Sequence, residues 1–398
     1  MKNEVIIFID TNILLSPLKI ESNIPFEELL LTLYPFKNSI VVPGHVYSEF
    51  YDNIENIFQN SKKEIEKSKE ETCRSFDKII KQLRLLGCSK ISAIETQKRE
   101  TLCGIEDRIS NRTGLLKLDA KKLYSYFQDI FPGETDSDYS IKEKYVLMAE
   151  YDARCKRGIA PGYKDSGKDN ENDYGDLFIW QEILDYMDFM SNDGVLDAVF
   201  ITNDNKADWR GERSENQLQN EYSEYVFDGT FSVMSFSEFR DAYHKTIDSF
   251  RTKYNKLIKI IKKDSWSKDD FLVFMNLIKT MRLSLSFFLV MIPEELKEKL
   301  KERILPFKSE MLQLGIDFLS LSARSLAVLN NVGLTNIGKL MNCSIADMIK
   351  TRNFGKMSLS EISEKRIAFD ELFGPIVSKL ENYSFEGYTS RKKRVSFV

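Results

Sequence analysis

The sequence predicts an α/β domain built on a central parallel sheet, followed by a region made of helices alone. Three observations carry this expectation. Val5–Ile9 is a continuous apolar, largely β-branched run, the pattern of a strand buried on both faces, and Val195–Ile201 reads as a second strand. Around them, stretches of helical periodicity alternate with short strand-like runs, as parallel sheets with helical crossovers require. Beyond about His244 the strand signal ends and only helical periodicity remains.

Taken in order, Val5–Ile9 is the first strand, and the Ser16–Pro17 break separates it from a short amphipathic helix over Pro25–Tyr34. Ser39–Val42 is a second short strand, and Pro43 opens a helix that carries Glu49. From about Asn53 to Gly87 the chain is charged and helical in pattern, with Ile54, Phe58, Ile65, Phe76, Ile80 and Leu83 as its apolar stripe. Further helices are expected through Cys155, interrupted at the NRTG stretch and at Pro132–Gly133. Gly158–Asn172, rich in Gly, Asp and Lys, reads as a loop. Tyr174–Met187 is a helix, Val195–Ile201 a strand, and Thr230–Met234 another. In the helical region, Ile247–Lys263 and Lys268–Phe288 are strongly periodic and Glu294–Arg303 is charged. Short helices follow from Gly315 to Phe373, and the chain ends in the basic tail TSRKKRVSFV.

A chain of 398 residues exceeds a usual single domain, so two or three are expected. With 42% apolar and 30% charged residues the composition is that of a globular protein, and a net charge of −4 argues against indiscriminate wrapping of nucleic acid. The five cysteines are scattered, with no CxxC pair, which gives no zinc or disulfide framework and fits a reducing cytoplasm. No secretory signal is visible, and the apolar run around Leu285–Ile292 is far below the roughly 20 residues that span a bilayer. The two histidines, His45 and His244, lack the local context of a nucleophilic triad. Neither GxxxxGK[ST] nor a helix-opening GxGxxG is present, so nucleotide-binding loops lack support.

What remains is acid-rich metal chemistry. Asp10 and Asp204 each follow an apolar strand, where open parallel sheets form their ligand crevices. Glu49 lies on the helix after PGHVYSEF, and Asp176 opens the helix GDLFIWQEIL, whose Trp180, Ile183 and Leu184 would face the sheet. Mg²⁺ and Mn²⁺ prefer oxygen ligands and complete their shells with water and substrate phosphate. Such ions activate a water nucleophile and stabilise the leaving oxygen of a phosphodiester displacement. Each acid also has a structural reading. Asp10, Thr11, Asn12 and Asp176 are good helix N-caps, Glu49 alone is an ordinary solvated helix residue, and Asp204 lies in a TNDN turn. The joint arrangement of two strand ends and a helix start after a loop favours a site. Trp180 and Trp209 read as core or sheet-edge packing rather than base-stacking platforms.

The five segments FIDTNILL, VYSEF, PGYKD followed by Lys168, YGDLFIW and FITNDNKADW occur in this order, and over residues 1–243 the chain resembles the PIN nucleases, most closely a bacterial PIN-like branch with a long helical insertion. The resemblance implies an α/β/α sandwich and Mg²⁺- or Mn²⁺-dependent hydrolysis of RNA, with products bearing 5′-phosphate and 3′-hydroxyl ends. The family's metal acids carry over to Asp10, Glu49, Asp176 and Asp204, with Asp208 a further acid of the last motif. Asn12, Lys164, Lys168 and Lys206 become substrate contacts by the same matching; Arg210 lies beside them and reads equally as a solvated loop charge.

The stretch LSLSARSLAVLNNVGLTNIGKLMN and the RNFGKMS segment after it form a helix-hairpin-helix pattern. It resembles the C-terminal domain of the bacterial RNA polymerase alpha subunit over about fifty-five residues. That family reads the DNA minor groove, where an inserted Arg meets negative potential. Its arginine falls on Arg324, its hairpin glycine on Gly355 and its following serine on Ser358, with Arg352 and Lys356 keeping positive charge. A family asparagine corresponds to Ala327 and a family lysine to Met357, so protein docking or dimerisation stays open beside nucleic-acid contact. The expected organisation is a nuclease domain at 1–243, a helical connector at 244–314, the helix-hairpin-helix module at 315–374 and a basic tail at 375–398. The expected protein is thus a cytoplasmic nuclease, with nucleic acid as partner, no membrane, and a protein partner or homo-oligomer left open. RNA is its favoured substrate, and a toxin or anti-phage role fits such a fusion. DNA cleavage, or binding without catalysis, is the alternative.

Overall fold

The computed structural model describes residues 5–19, 24–88, 91–116, 120–135, 139–164, 174–344, 348 and 355–374. The chain divides into two compact units, Met1–Thr252 and Lys253–Val398.

The first unit is built on a four-stranded parallel sheet in the order β2-β1-β3-β4, with β1 at Val5–Ile9, β2 at Ile40–Val41, β3 at Asp197–Ile201 and β4 at Phe231–Met234. Phe8 and Ile9 pair in register with Phe200 and Ile201, and Phe8 with Val41 on the other side. After their first residues, β1 and β3 are buried throughout, which is why both read as unbroken apolar runs. Helices cover both faces, so the α/β/α class expected from the sequence is the one found. The edge beside β2 is closed by residues 133–135: Val42 donates to Gly133 (2.8 Å), and Thr135 to Val42 (3.2 Å). A Cβ at Gly133 would stand 2.5 Å from the Ile40 carbonyl oxygen, so only glycine permits that approach.

The connection from β1 to β2 carries helices α1 (Thr11–Leu15) and α2 (Phe26–Leu33). That from β2 to β3 holds the insertion: α3 (Gly44–Leu85), α4 (Ile91–Leu116), α5 (Ala120–Ile130), α6 (Ile141–Arg157) and α7 (Gly175–Ser191). The helix carrying Glu49 and the charged stretch after it are one element of 42 residues, about 60 Å long. No Pro or Gly interrupts residues 45–86, so nothing breaks the ladder. Helix α4 likewise runs through NRTG, because a single mid-helix glycine costs only about 1 kcal/mol. Between β3 and β4 lie α8 (Ala207–Arg210) and α9 (Glu212–Tyr225), and α10 (Phe236–Ala242) follows β4.

The sequence of connections matters for function. From β1 the chain passes to β2 on one side, and from β3 to β4 on the other, while β1 and β3 are hydrogen-bonded neighbours. The order therefore reverses between β1 and β3, and ligand crevices form outside the carboxyl ends of such a pair. Beneath them pack Phe200 and Trp209 (ring centroids 4.7 Å), Trp180 and Trp209 (6.3 Å), and Trp180 and Phe231 (4.8 Å). Both tryptophans are buried, and Trp180 Nε1 donates to Glu221 (3.0 Å), so they form the core of the sheet.

Helix α11 (His244–Ile261) contains the division between the units. The second unit continues with α12 (Lys268–Met281), α13 (Leu285–Met291), α14 (Glu294–Ile304), α15 (Lys308–Met311), α16 (Ala323–Asn331), α17 (Ile337–Asn342) and α18 (Lys356–Phe373). The periodic run Lys268–Phe288 is two helices meeting at 108°. Arg282 in the left-handed conformation ends α12, and the Ser284 side chain caps the Phe287 N–H of α13 (3.3 Å). Phe288 contacts Phe318 and Phe373 (5.9 Å each), and Phe318 contacts Phe369 (6.2 Å), so the connector helices and the C-terminal ones share an aromatic core. No single helix among the described residues is long and apolar enough to cross a membrane.

Candidate functional site

Asp10 is the first residue beyond β1, its N–H bonded to the Ile201 carbonyl of β3 (3.0 Å). By position it is the N-cap of α1, yet its side chain makes no capping bond. The carboxylate turns instead into the crevice, where Oδ2 accepts from Thr202 Oγ1 (2.5 Å) and from Asn12 Nδ2. Thr202 is fully buried and is the hub of this end of the sheet. Its Oγ1 also accepts from Asn12 Nδ2 (2.9 Å) and from the Asp204 N–H (2.9 Å), while Asn12 Oδ1 accepts from the Asn203 N–H (3.1 Å). The segment after β1 and the turn after β3 are thereby fastened together.

Glu49 enters from the second turn of α3. Its Oε2 accepts from Thr11 Oγ1 (2.6 Å), and its Oε1 lies 3.5 Å from His45 Nε2, one turn earlier on the same helix. Asp176 stands in the first turn of α7, with Oδ2 3.9 Å from Lys206 Nζ. Asp204 accepts the Lys206 N–H at Oδ1 (3.0 Å) and the Lys206 ammonium at Oδ2 (3.1 Å). Gly175 is what lets α7 approach α3 here: a Cβ on it would fall 2.8 Å from Glu49 Oε1 and 3.3 Å from His45 Nε2.

Four acids from four segments are thus drawn to one end of the sheet, and their charges interact. Burial, with the negative charges of Glu49 and Asp204, raises the Asp10 carboxyl to about 6 against the opposing Thr202 hydrogen bond. Glu49 moves the other way: burial would raise it, but the hydrogen bonds from His45 and Thr11 and the charge of Lys206 hold it below the usual carboxylate range. Burial would lower His45, and its hydrogen bond to Glu49, with Glu182 and Asp176 nearby, lifts it above the ordinary histidine value.

Asp208 is fully buried. Its Oδ2 accepts the Lys164 N–H (3.1 Å), which ties the 158–164 loop to α8, and its Oδ1 has no hydrogen-bond partner among the described residues. Lys164 directs its ammonium over the Tyr163 ring, 5.7 Å from the centroid, and Arg210 bonds Glu238. Lys168 lies outside the described residues. His45, Thr11 and Thr202 are site residues that the sequence reading did not assign. The i, i+4 spacing of His45 and Glu49 in PGHVYSEF is the signal that could have found the first.

In the second unit, Arg324 is exposed in the first turn of α16, and a Cβ on Gly355, the N-cap of α18, would meet its guanidinium at 3.6 Å. Ser358 is buried. Glu361 of α18 accepts from Ser322 Oγ (2.8 Å) at the N-terminus of α16, which fixes the helix that carries Arg324. Ala327 is exposed. Arg352 and the Lys356 side chain lie outside the described residues.

Residues 6–225, more than half of the chain, match the family profile described as a PIN-like domain. The chain belongs to the PIN-like domain family. Residues 306–365 of this PIN-like protein match a second profile, the C-terminal domain of the bacterial RNA polymerase alpha chain. Among curated relatives, the DNA-directed RNA polymerase subunit alpha of Rickettsia rickettsii (strain Sheila Smith) is 32% identical over 123 residues, 31% of this chain and 36% of the relative. The corresponding subunit of Geobacter metallireducens is 43% identical over 67 residues, 17% of this chain and 18% of the relative. That of Porphyromonas gingivalis is 39% identical over 70 residues, 18% and 21% of the two chains. The chain spans little more than a third of the length of these relatives at most. No solved structure matches the chain.

PIN-like domains typically use divalent metals, so the acids of this one have to be tested against such an ion. Among the described residues no three His, Cys, Asp or Glu side chains are gathered at ligating separations. Yet the donor set is all carboxylate oxygen, the kind Mg²⁺ and Mn²⁺ select. A cation also already stands among the acids, since the Lys206 ammonium bridges Asp204 and Asp176. The residues fit the ion in chemistry, with the lysine between two of them.

Proposed function

We propose that this PIN-like protein is a divalent-metal-dependent endonuclease that hydrolyses phosphodiester bonds, with RNA as its substrate and a C-terminal module that delivers it to nucleic acid. The observation supporting this reading is the group of interacting carboxylates from four segments at the switch point of the parallel sheet. Asp10, Glu49, Asp176 and Asp204 would hold Mg²⁺ or Mn²⁺. When bound, the ion supplies the charge that activates water and stabilises the departing oxygen.

The chain's own residues supply orientation. Thr202 and Asn12 hold one Asp10 oxygen, Thr11 and His45 hold the two oxygens of Glu49, and the Asp208 bond to Lys164 keeps the neighbouring loop against α8. Groups so held lose little freedom when substrate arrives. Lys164, Lys168 and Lys206 are the proposed phosphate contacts. Asn12, also matched to a substrate contact, has its amide engaged with Asp10, Thr202 and Asn203, so it acts through them. The proposed location is the cytoplasm, and the proposed role is that of a toxin or anti-phage effector.

Purified protein incubated with labelled RNA, single-stranded DNA and duplex DNA, with Mg²⁺, Mn²⁺ or EDTA, tests the reading. Metal-dependent cleavage of RNA with 5′-phosphate ends is expected. Preference for either DNA moves the substrate to DNA, and no cleavage of any substrate with either metal overturns the enzyme.

For the module, the exposed Arg324 beside Gly355 favours nucleic-acid contact over protein docking. Arg324→Ala in the full chain is expected to weaken binding to an A·T-rich duplex about tenfold, the scale of one good groove contact. Fluorescence anisotropy at fixed salt measures it; unchanged affinity would assign the module to protein docking or self-association.

A further inference from the structure

We infer that Lys206 is the resident cation of the metal-free site: its ammonium fills the gap between Asp176 and Asp204 and yields that position to the divalent ion. The inference rests on the metal-dependent reading above and assigns this lysine a role that phosphate contact does not contain.

Three features of Lys206 support the role. First, it is anchored to the acid it neutralises. Asp204 Oδ1 accepts its N–H at 3.0 Å while Oδ2 meets its ammonium at 3.1 Å, so one carboxylate grips both ends of the residue. Second, the side chain bridges elements. The ammonium reaches Asp176 of α7 at 3.9 Å, across from its own place at the N-cap of α8, and its charge is felt at Glu49 of α3. One ammonium therefore offsets carboxylates from three segments, as a metal ion there would. Third, it can leave. The Lys206 side chain keeps about a third of its surface open (32%), and a lysine stem has free rotamers to carry its head outward.

Like-charged carboxylates held together without a cation repel one another, and a monovalent ammonium relieves only part of that. A divalent ion relieves more, so exchange is favourable, but every ion bound must first displace the lysine. Lys206 thus lowers the apparent metal affinity while protecting the metal-free fold. Once displaced, the ammonium stands at the rim of the site.

Lys206→Met keeps the stem and removes the charge; Lys206→Arg keeps the charge. Mn²⁺ binding to the full chain, followed by calorimetry and by the loss of the free-ion paramagnetic resonance signal, reads the exchange without any substrate. Lys206→Met is expected to bind Mn²⁺ about tenfold more tightly than the native chain, which corresponds to about 1.4 kcal/mol. Its metal-free thermal midpoint should fall, and saturating Mn²⁺ should raise that midpoint by more than it does in the native chain. Lys206→Arg should stay near native. Equal or weaker Mn²⁺ binding by Lys206→Met, with the native chain binding normally, overturns the role of Lys206 and leaves the metal reading standing. No Mn²⁺ binding by the native chain overturns both.

Discussion

Asp10→Asn should strongly reduce cleavage while making the metal-free protein more stable at neutral pH. The opposite signs come from one cause. Burial, with the charges of Glu49 and Asp204 beside it, disfavours the charged form of the carboxyl and raises it from 3.8 to about 6. For an acid raised in the folded state, stability is fully present below the unfolded value and is lost as pH rises through the folded one. Above pH 6 the metal-free fold therefore carries the whole cost. At roughly 1.36 kcal/mol per unit the ceiling is about 3 kcal/mol, and solvent reaching the part-open carboxyl brings the expected gain to about 1–2 kcal/mol. Asparagine keeps an oxygen to accept from Thr202 and Asn12 and removes the charge. Thermal unfolding in EDTA should show the variant melting higher at pH 7.5, with the difference shrinking through pH 6 and gone below about pH 4. Cleavage should fall by a factor on the order of 10² to 10³, the scale on which single electrostatic contributors act. A pH-independent change in midpoint would mean that packing, not charge, sets the effect. A site strained for function and relieved by its own inactivation is a common trade-off.

The strand-ending aspartates were legible because a strand covered on both faces must be apolar along its length, so the acid that ends it stands out. That β1 and β3 are neighbours was not legible, since pairing over nearly two hundred residues of separation is set by the packing of everything between them. The joining of Glu49's helix to the charged stretch could be read from the absence of Pro and Gly, but the 108° break after Met281 depends on where Ser284 finds an N–H to cap. Thr202 looked like one polar residue in a turn. Its importance comes from burial at a point where Asp10, Asn12 and Asp204 all reach it. Glu182 was hidden for the same reason. In GDLFIWQEIL it resembles an ordinary polar position, yet it is 1% exposed.

That buried glutamate leads to the second large effect. Helix α3 begins after Pro43, and its first N–H groups have no partner within the helix. Gly44 finds the Thr135 hydroxyl (2.8 Å), and His45 finds both oxygens of Glu182 (3.2 Å each), of which Oε2 also accepts from Thr135 Oγ1 (2.7 Å). Glu182 thus supplies from α7 the capping charge that the local sequence of α3 lacks, where the helix dipole favours an anion. Glu182→Ala would leave the part-buried His45 N–H and the buried Thr135 hydroxyl without an acceptor, at roughly 1–3 kcal/mol for each, so a loss of about 2–6 kcal/mol is expected. Glu182→Gln keeps one acceptor oxygen and relieves a carboxyl whose pKa burial has raised, so it should cost less than about 1 kcal/mol. Urea denaturation separates the two variants, and equal losses would show that volume rather than hydrogen bonding governs the position. The change should also be local. Hydrogen exchange at the first two turns of α3 should accelerate in Glu182→Ala before the rest of the sheet is affected. Because His45 and Glu49 stand on those turns, cleavage should fall further than the unfolded fraction alone explains. Normal activity per folded molecule would mean that the acids are held from the sheet side alone, by Thr11 and Thr202.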